Sequence, residues 1–272
     1  MRTAHTQHKT RSRPERGNAS APARSALWLY GRHPVTAALA NPDRYWRRLA
    51  VLAGQEGEAK ALVAAARAQR RGDGEPIRTL DRRGMAALVG DDAVHQGLAL
   101  EVETLEAPDL DDVLRAATLA PRAVVVVLDQ VNDPHNVGAI LRAAAAFGAL
   151  GVVVAAHGAP PATGALAKAA SGALELVPLI EAVNLARTLE RLKEAGFWCC
   201  GLDERAPHLL AELELGPRVA LVLGAEGDGL RRLVRESCDY LARLPTTPAM
   251  PSLNVSTAAA VALYALRGKE GG

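Results

Sequence analysis

Aromatic residues, cysteines and long apolar runs are all scarce in this sequence of 272 residues. Aromatic side chains make up only 3% of the chain, so we expect a core built mainly from Ala, Leu and Val. No apolar run approaches the ~18 residues that would cross a bilayer. The first residues also lack the apolar segment of a secretory signal. We therefore expect neither a membrane-spanning protein nor a secretory precursor.

The three cysteines are Cys199, Cys200 and Cys238, which are too few for a disulfide framework. None of them has CxxC or Cys/His spacing, so the sequence predicts no metal site of the zinc type. The sparse cysteines favour a reducing compartment, and we expect the protein in the cytoplasm.

Charge is distributed unevenly along the chain, although the net charge is only +2. Residues 1–25 carry six Lys or Arg against one Glu, which gives +5, and the remaining 26 basic and 29 acidic residues give −3. One interpretation is a disordered basic arm that meets a polyanion such as RNA. The alternatives are a solvated terminus without function and a mitochondrial presequence, which the missing apolar face disfavours.

Strand and helix patterns alternate along the chain, which predicts an α/β layered fold with a parallel sheet. We predict a small α/β unit over residues 27–103, an acidic linker over 104–118 and a second unit over 119–268. The predicted strands cover 27–31, 49–53, 77–80, 97–102, 124–128, 151–154, 176–179, 197–202, 219–223 and 240–244. One predicted helix begins at Pro34. The other predicted helices cover 56–70, 82–89, 134–147, 165–170, 182–195, 230–236 and 254–266.

Three predicted strands of the second unit end in polar loops, over residues 129–138, 224–229 and 245–254. In an open parallel sheet, ligands bind beyond the carboxyl ends of the strands. The glycines of 224–229 have the spacing GxxGxG, which is neither a P-loop nor a dinucleotide fingerprint, so a plain turn is the simpler interpretation.

Single residues in or near these loops can be interpreted as ordinary structural residues or as ligand-binding residues. Arg142 lies in an Ala-rich helix and is either a surface arginine or a ligand-binding residue. Gly138 inside the same predicted helix indicates close packing or a ligand. Ser252 and Asn254 precede the last helix and are ordinary helix caps. No histidine is near Ser252 in sequence and no GxSxG elbow is present, which disfavours a serine hydrolase.

Taken together, the three loops resemble the three motifs of the SpoU (TrmH) family of RNA ribose 2′-O-methyltransferases. The matching segments are Asn136-Val137-Gly138 with Arg142, Leu223 to Gly227, and Ser252 to Ser256, in the family's order and spacing. Residues 168–175 are similar to the family's intermediate segment. Tyr30 to Val35 and Ala93 to Gly97 are similar to the small RNA-binding domain of bacterial ribosomal-RNA members. The resemblance covers about residues 27–267.

The resemblance implies a SPOUT-type fold with a C-terminal trefoil knot, S-adenosylmethionine as methyl donor, no metal and a homodimer. It places Gly224, Leu244 and Leu253 in the cofactor pocket. It places Asn136, Arg142, Glu226, Ser252 and Asn254 in the catalytic cluster. In the family's mechanism the arginine helps remove the 2′-hydroxyl proton. A guanidinium normally stays protonated, so the alternative is that Arg142 orients the ribose or its phosphate.

The forward domain favours a guanosine of 23S ribosomal RNA as the substrate nucleotide, with transfer RNA as the alternative. A non-catalytic RNA-binding relative is a further hypothesis, which the intact catalytic set disfavours. One loop departs from the family. Residues 245–251 carry Pro248 and Pro251, whereas many members have Pro-Met followed by Gly, and the prolines are expected to stiffen it.

Deletion of residues 1–25 is expected to weaken RNA binding and flatten its salt dependence without moving the modified nucleotide. Removal of one basic side chain that neutralises a phosphate lowers the log–log salt slope by about 0.9. The arm has no aromatic residue to stack on bases, so it carries charge and no sequence readout. RNA affinity measured at several salt concentrations for full-length and truncated protein tests this. Coinciding slopes would identify the arm as a bystander.

Overall fold

The computed structural model describes residues 26–106, 109–157, 160 and 163–268, which form two sheets with their helices. The predicted basic arm over residues 1–25 lies outside the described residues. No helix within the described ranges is long and apolar enough to cross a membrane.

The first sheet is mixed rather than parallel. Its elements are β1 (Ala26–Tyr30), α1 (Arg32–Ala40), β2 (Tyr45–Leu52), α2 (Glu56–Ala64), β3 (Gln69–Arg70), β4 (Ile77–Leu80), α3 (Arg82–Val89) and β5 (Leu98–Glu103). The strand order is β1-β5-β2-β3, and β4 also pairs with β2. Strand β5 runs antiparallel to both β1 and β2, whereas β3 and β4 run parallel to β2. The prediction of a parallel arrangement is therefore wrong for this sheet.

The second sheet has seven strands, and every pair in it is parallel, as predicted. Its strands are β6 (Ala123–Leu128), β7 (Gly151–Ala155), β8 (Leu179–Ala182), β9 (Trp198–Leu202), β10 (His208–Leu209), β11 (Arg218–Leu223) and β12 (Tyr240–Arg243). Its helices are α4 (Leu110–Leu119), α5 (Pro134–Phe147), α6 (Gly164–Ala170), α7 (Leu185–Glu194), α8 (Arg232–Glu236) and α9 (Val255–Gly268). The strand order is β10-β12-β9-β11-β6-β7-β8.

Helices cover both faces of this sheet, which explains the continuous apolar runs of its central strands. Along β6, Val126 and Leu128 pack with α5, α6 and α9, while Val125 and Val127 pack with α4, α7 and α8. The chain passes from β6 to β8 in one direction and then returns to β9 on the far side of β11. In an open parallel sheet, ligands bind beyond the carboxyl ends of the strands where the strand order reverses in this way.

Several element predictions are wrong in their bounds. The predicted strand over 49–53 begins earlier, since β2 covers Tyr45–Leu52. The predicted helix over 56–70 stops at Ala64, because Gln69–Arg70 pairs with β2 as a short edge strand. The predicted strand over 176–179 is displaced, since β8 occupies Leu179–Ala182 and Leu176 is exposed. The two-residue strand β10 was not predicted at all.

The ends of α5 confirm their predicted capping. The Asp133 side chain accepts a hydrogen bond from the His135 amide, Pro134 occupies the first turn, and Gly148 adopts the left-handed conformation. Of the two interpretations of Gly138, close packing and a ligand, the structure supports close packing. A Cβ there would lie 2.5 Å from the Ala169 Cβ on α6, so only glycine lets these helices approach so closely.

The first sheet packs against the second unit through a buried ion pair. Arg44 and Glu175 are 3% and 4% exposed, and the Arg44 guanidinium also donates to the Glu103 carbonyl at 2.8 Å. The Asn41 side-chain amide donates to the Glu175 carboxylate at 2.8 Å. On α6, Lys168 donates to Gln96 of the first unit at 2.9 Å, and burial lowers the pKa of this amine.

The trefoil knot implied by the resemblance concerns how the chain threads through itself. Strand order and register do not express threading, so the knot stays a prediction.

Glu175→Ala is expected to destabilise the protein by about 3–5 kcal/mol, because it leaves the Arg44 guanidinium buried and unpaired. Glu181→Ala is the control, since Glu181 is exposed on β8 and forms no ion pair within the described residues. Its effect should stay below about 0.5 kcal/mol. Denaturant unfolding of both variants provides the measurement. Equal stabilities would contradict the importance of this pair.

Candidate active site

A cavity of about 510 Å³ lies beyond the carboxyl ends of β9, β11 and β12. Its floor includes Leu202, Leu223 and Ala242 from these strands. Its walls come from the loops over 203–205, 224–230 and 244–254. The volume lies within the range of pockets that bury a small molecule or cofactor. Of the residues predicted for the site, Gly224, Leu244, Leu253, Glu226, Ser252 and Asn254 line this cavity.

Asn254 joins three loops at the edge of the cavity. Its Nδ2 donates to the Glu226 Oε1 at 2.5 Å and to the Asn136 Oδ1 at 3.0 Å. Its Oδ1 accepts from the Ser256 amide at 2.9 Å and the Ser256 hydroxyl at 2.6 Å, which caps α9. Asn254 therefore caps α9, as its plain interpretation predicts, and also contacts two other residues predicted for the site.

The glutamate in this arrangement is held on one oxygen. Glu226 Oε1 accepts from the Val255 amide at 3.2 Å in addition to the Asn254 side chain. Glu226 itself is exposed, so its carboxylate is fixed but remains accessible from the cavity. The geometry supplies an oriented anionic group at the cavity wall.

The glycine loop over 224–230 is folded back on itself. The Gly229 amide donates to the Ala225 carbonyl at 3.0 Å. A Cβ at Gly224 would clash with the Gly229 carbonyl and lie 2.6 Å from the Leu230 nitrogen. Since both obstacles are backbone, Gly224 cannot be replaced without moving the loop. The plain-turn interpretation is therefore incomplete, because this turn forms a cavity wall.

The proline-containing loop over 245–251 forms a closed turn. The Met250 amide donates to the Thr247 carbonyl at 3.0 Å, and the Thr246 hydroxyl donates to the Pro251 carbonyl at 2.9 Å. Thr246 and Pro251 both line the cavity. This departure from the family pattern therefore leaves an ordered loop beside the cavity.

Arg142 and Ser252 are placed differently from the three-loop cluster. Ser252 is exposed at the cavity wall. Arg142 lies nearly two turns beyond Asn136 on α5, is exposed, and does not line the cavity. Neither side chain forms a hydrogen bond or ion pair within the described residues. The structure thus unites Asn136, Glu226 and Asn254 but leaves Arg142 outside their hydrogen bonds.

Charged side chains of both signs line the cavity, and Arg205, Arg235 and Arg243 are the basic ones. Four acidic side chains line it, and two of them, Glu226 and Asp228, have no ion-pair partner among the described residues. Asp203 pairs with Arg235 at 2.8 Å, and Glu204 lies 3.9 Å from Arg205. In the part of the chain that the structure describes, no group of His, Cys, Asp and Glu is arranged to hold a metal ion.

All three cysteines lie away from this chemistry. Cys199 and Cys200 are buried in β9, and Cys238 is partly buried. Burial is the main cause that raises the pKa of the Cys199 and Cys238 thiols to about 12 in each case. Both thiols therefore stay protonated and weakly reactive at neutral pH.

Comparison with known families assigns both units. Residues 123–264 match the profile described as the SpoU rRNA Methylase family, and residues 28–108 match that of RNA 2′-O ribose methyltransferase substrate binding. The fold and the site thus define an RNA ribose 2′-O-methyltransferase with its own substrate-binding domain. More particularly, the chain belongs to the SpoU rRNA methylase family.

Relatives agree with this assignment over most of the chain. The 23S rRNA (guanosine-2′-O-)-methyltransferase RlmB of Pseudomonas syringae is 40% identical over 240 residues, covering 87% of this chain and 93% of the relative. The enzyme of the same name from Xylella fastidiosa is 39% identical over 240 residues, covering 87% and 94%. The predicted family and reaction class are confirmed.

A solved structure shows the same fold. The SpoU methyltransferase AviRb from Streptomyces viridochromogenes, in complex with AdoMet, superposes with a TM-score of 0.75. It is 23% identical in sequence and covers 91% of both chains. The predicted fold class, an α/β methyltransferase domain behind a small α/β domain, is confirmed.

The residues around the cavity fit S-adenosylmethionine. The pinched backbone at Gly224 leaves a wall without a side chain, where a ligand can meet main-chain groups. Apolar residues, among them Leu244 and Leu253, offer surface for an adenine ring. The unpaired carboxylates of Glu226 and Asp228 favour the positive charge of a sulfonium.

One buried carboxylate near the site was not predicted from the sequence. Asp129 directly follows β6 and is fully buried, and its side chain accepts hydrogen bonds from Arg231. The available signal was its position, because an acid directly after a buried parallel strand seldom lacks a partner.

Gly224→Ala is expected to weaken S-adenosylmethionine binding by about tenfold or more, because the added methyl group overpacks fixed backbone. Gly57→Ala is the control. Gly57 lies in α2, and a Cβ there meets nothing within 4 Å. Titration calorimetry compares the two variants. Wild-type affinity in Gly224→Ala would show that this loop does not cradle the cofactor.

Proposed function

We propose that this chain methylates the ribose 2′-hydroxyl of a guanosine in 23S ribosomal RNA, using S-adenosylmethionine. The observation that carries the proposal is the side-chain amide of Asn254, which holds Glu226 and Asn136 together at the wall of the cavity. The ribosomal target is supported by two relatives of that named activity that match along nearly their whole length.

The reaction needs a held nucleophile beside a held methyl group. A 2′-hydroxyl is a weak nucleophile, so its orientation and the removal of its proton dominate the barrier. When bound, the cofactor supplies an electrophilic methyl group. Gly224, Leu244 and Leu253 bind it, largely through main-chain atoms. Glu226, held by the Asn254 side chain and the Val255 amide, and the Ser252 hydroxyl provide polar groups toward the ribose.

Arg142 is proposed to orient the ribose or its neighbouring phosphate. Its guanidinium is exposed and has no partner among the described residues, so it is available to RNA. A planar fork suits bidentate contact with phosphate, whereas proton removal would require a neutral guanidine. This role agrees with its position outside the hydrogen bonds of the Asn254 cluster.

We also propose a homodimer formed by the catalytic domain. Val255, Ala262 and Leu266 of α9 are buried in the core of its own domain, so they are not available to a partner. The outer surface instead carries Val261 and Tyr264, which are 41% and 68% exposed. Two further exposed apolar residues, Met250 and Leu253, precede the same helix. Exposed apolar side chains such as Val261 and Tyr264 are available to a partner surface.

Activity on defined RNAs tests the proposed function. Purified protein and labelled S-adenosylmethionine are incubated with a 23S ribosomal transcript and, separately, with bulk transfer RNA. Mass spectrometry of the digested products locates the methyl group. The proposal predicts a 2′-O-methylguanosine in the ribosomal transcript. Methylation of transfer RNA alone would replace the target, and methylation of a base would overturn the reaction.

Arg142→Ala is expected to lower methyl transfer by about 100-fold or more, since the ribose loses its orientation. Its affinity for S-adenosylmethionine should stay unchanged, because Arg142 does not line the cavity. Arg187→Ala is the control, as Arg187 is exposed on α7, remote from these loops in the sheet. A large loss of cofactor affinity in Arg142→Ala would move Arg142 into the cofactor site.

Light scattering on the full chain is expected to report twice the mass of one chain. Tyr264→Asp should shift the protein toward the monomer, because it places a charge on the outer surface of α9. Glu181→Ala on β8 is a control that leaves α9 intact. A wild-type monomer that still methylates RNA would contradict the dimer.

A further inference from the structure

Asp129 is a buried carboxylate at the end of the central strand β6. Its side chain is 0% exposed, and its backbone amide donates to the Leu223 carbonyl at 2.8 Å. This places it beside the last residue of β11. The next residue, Gln130, has a φ of +60°, so the chain turns sharply as it leaves the sheet. Asp129 therefore lies where the loops after β6 and β11 begin.

Arg231 satisfies both oxygens of this carboxylate. Its backbone amide donates to Oδ2 at 2.8 Å, and its Nε and Nη2 each lie 2.7 Å from Oδ1. An ionised carboxylate is costly to bury without a partner, and charge-assisted bonds of this kind are strong and directional. Because the backbone of Arg231 is held as well as its side chain, the pair fixes the path of the chain.

The fixed segment is the end of the glycine loop. Residues 224–230 line the cavity, and Arg231 follows directly. Gly224 is pinched against the backbone of Gly229 and Leu230, immediately before the anchored residue. A shift of the Arg231 backbone would therefore reach the cofactor wall through two residues. It would also reach Glu226, which lies between the two ends of this loop.

We propose that Asp129 is a positioning residue for methyl transfer. It acts through Arg231 and sets the shape of the loop over 224–230, and thereby both the cofactor wall and the placement of Glu226. The inference rests on the proposed function, since it assigns the cofactor to this cavity. It adds a second link between the loops after β6 and β11, at their base, whereas Asn254 links them at the cavity edge.

A purely structural role makes a different prediction. If Asp129 only stabilised the fold, its replacement would lower the unfolding temperature, while the folded fraction would bind and turn over normally. A positioning role changes the affinity and the turnover of fully folded protein. The decisive comparison is therefore made well below the unfolding temperature of each variant.

Asp129→Asn is the central variant, because it keeps the side-chain shape and one acceptor for the Arg231 amide. Its Nδ2 would face the donors of the guanidinium, which is half exposed and free to turn toward water. Arg231→Lys is the conservative partner variant, since it keeps the backbone bond and a positive charge. Arg232→Ala is the matched control, as Glu236 is the only ion-pair partner of Arg232 among the described residues, and both side chains are on the surface.

Calorimetric titration with S-adenosylmethionine and steady-state methyl transfer at saturating cofactor are measured for the full-length proteins. For Asp129→Asn we expect the Kd for S-adenosylmethionine to rise by about tenfold, as when a charge-assisted bond is removed. We expect kcat to fall by about 100-fold, because Glu226 is misplaced. Arg231→Lys should change Kd and kcat less than Asp129→Asn does. Arg232→Ala should have the wild-type Kd and kcat.

Folded Asp129→Asn with wild-type Kd and kcat would overturn the positioning role. If this variant does not fold, Arg231→Ala provides the same comparison, and its unchanged Kd and kcat would equally overturn it. Wild-type protein that does not bind S-adenosylmethionine would overturn the proposed function itself. That result is distinguishable, because it is read from the unmodified chain before any variant is compared.

Discussion

The side-chain amide of Asn254 is the interaction on which the rest of the site depends. Three loops leave the sheet at the ends of β6, β11 and β12, and each contributes one member of the cluster. Asn136 and Asn254 are 118 residues apart in sequence. The Asn254 Nδ2 nevertheless donates to both Asn136 and Glu226. The same side chain also caps α9, so one residue both begins the last helix and connects the members of the site.

The fold supplies what this amide needs. A parallel sheet places the ends of its strands at one edge, so residues remote in sequence meet there. Apolar packing on both faces fixes the strands, and Gly138 lets α5 approach α6 closely. The buried pair between Arg44 and Glu175 then holds the first sheet against the catalytic unit.

Much of this organisation was predictable from the sequence, and the failures have physical causes. The helix α5, from Pro134 to Phe147, followed from local capping chemistry, which acts within a few residues. Edge strands such as β3 and β10 were missed, because two-residue strands exist only through their partners. The mixed first sheet was missed for a similar reason, since strand direction is set by tertiary pairing.

The site residues divide in the same way. Gly224, Glu226 and Asn254 stood out through their motifs, and the structure places all three at one cavity. The cap motif at Asn254 contains no information about a distant carboxylate, so its grouping with Glu226 came only from the family resemblance. Asp129 was missed because its importance lies in its burial and in its partner Arg231, 102 residues away.

The most direct test of the account separates the two roles of Asn254. Asn254→Asp keeps the oxygen that caps α9 but replaces the donor amide with an oxygen that repels Glu226. Asn184→Asp is the matched control, since Asn184 caps α7 through its Oδ1 at 3.1 Å and lies outside the site. The measurement is single-turnover methyl transfer, with thermal unfolding recorded for both variants. The account predicts that both variants fold and that Asn254→Asp alone loses about 100-fold in rate. Folded Asn254→Asp with the wild-type rate would contradict it.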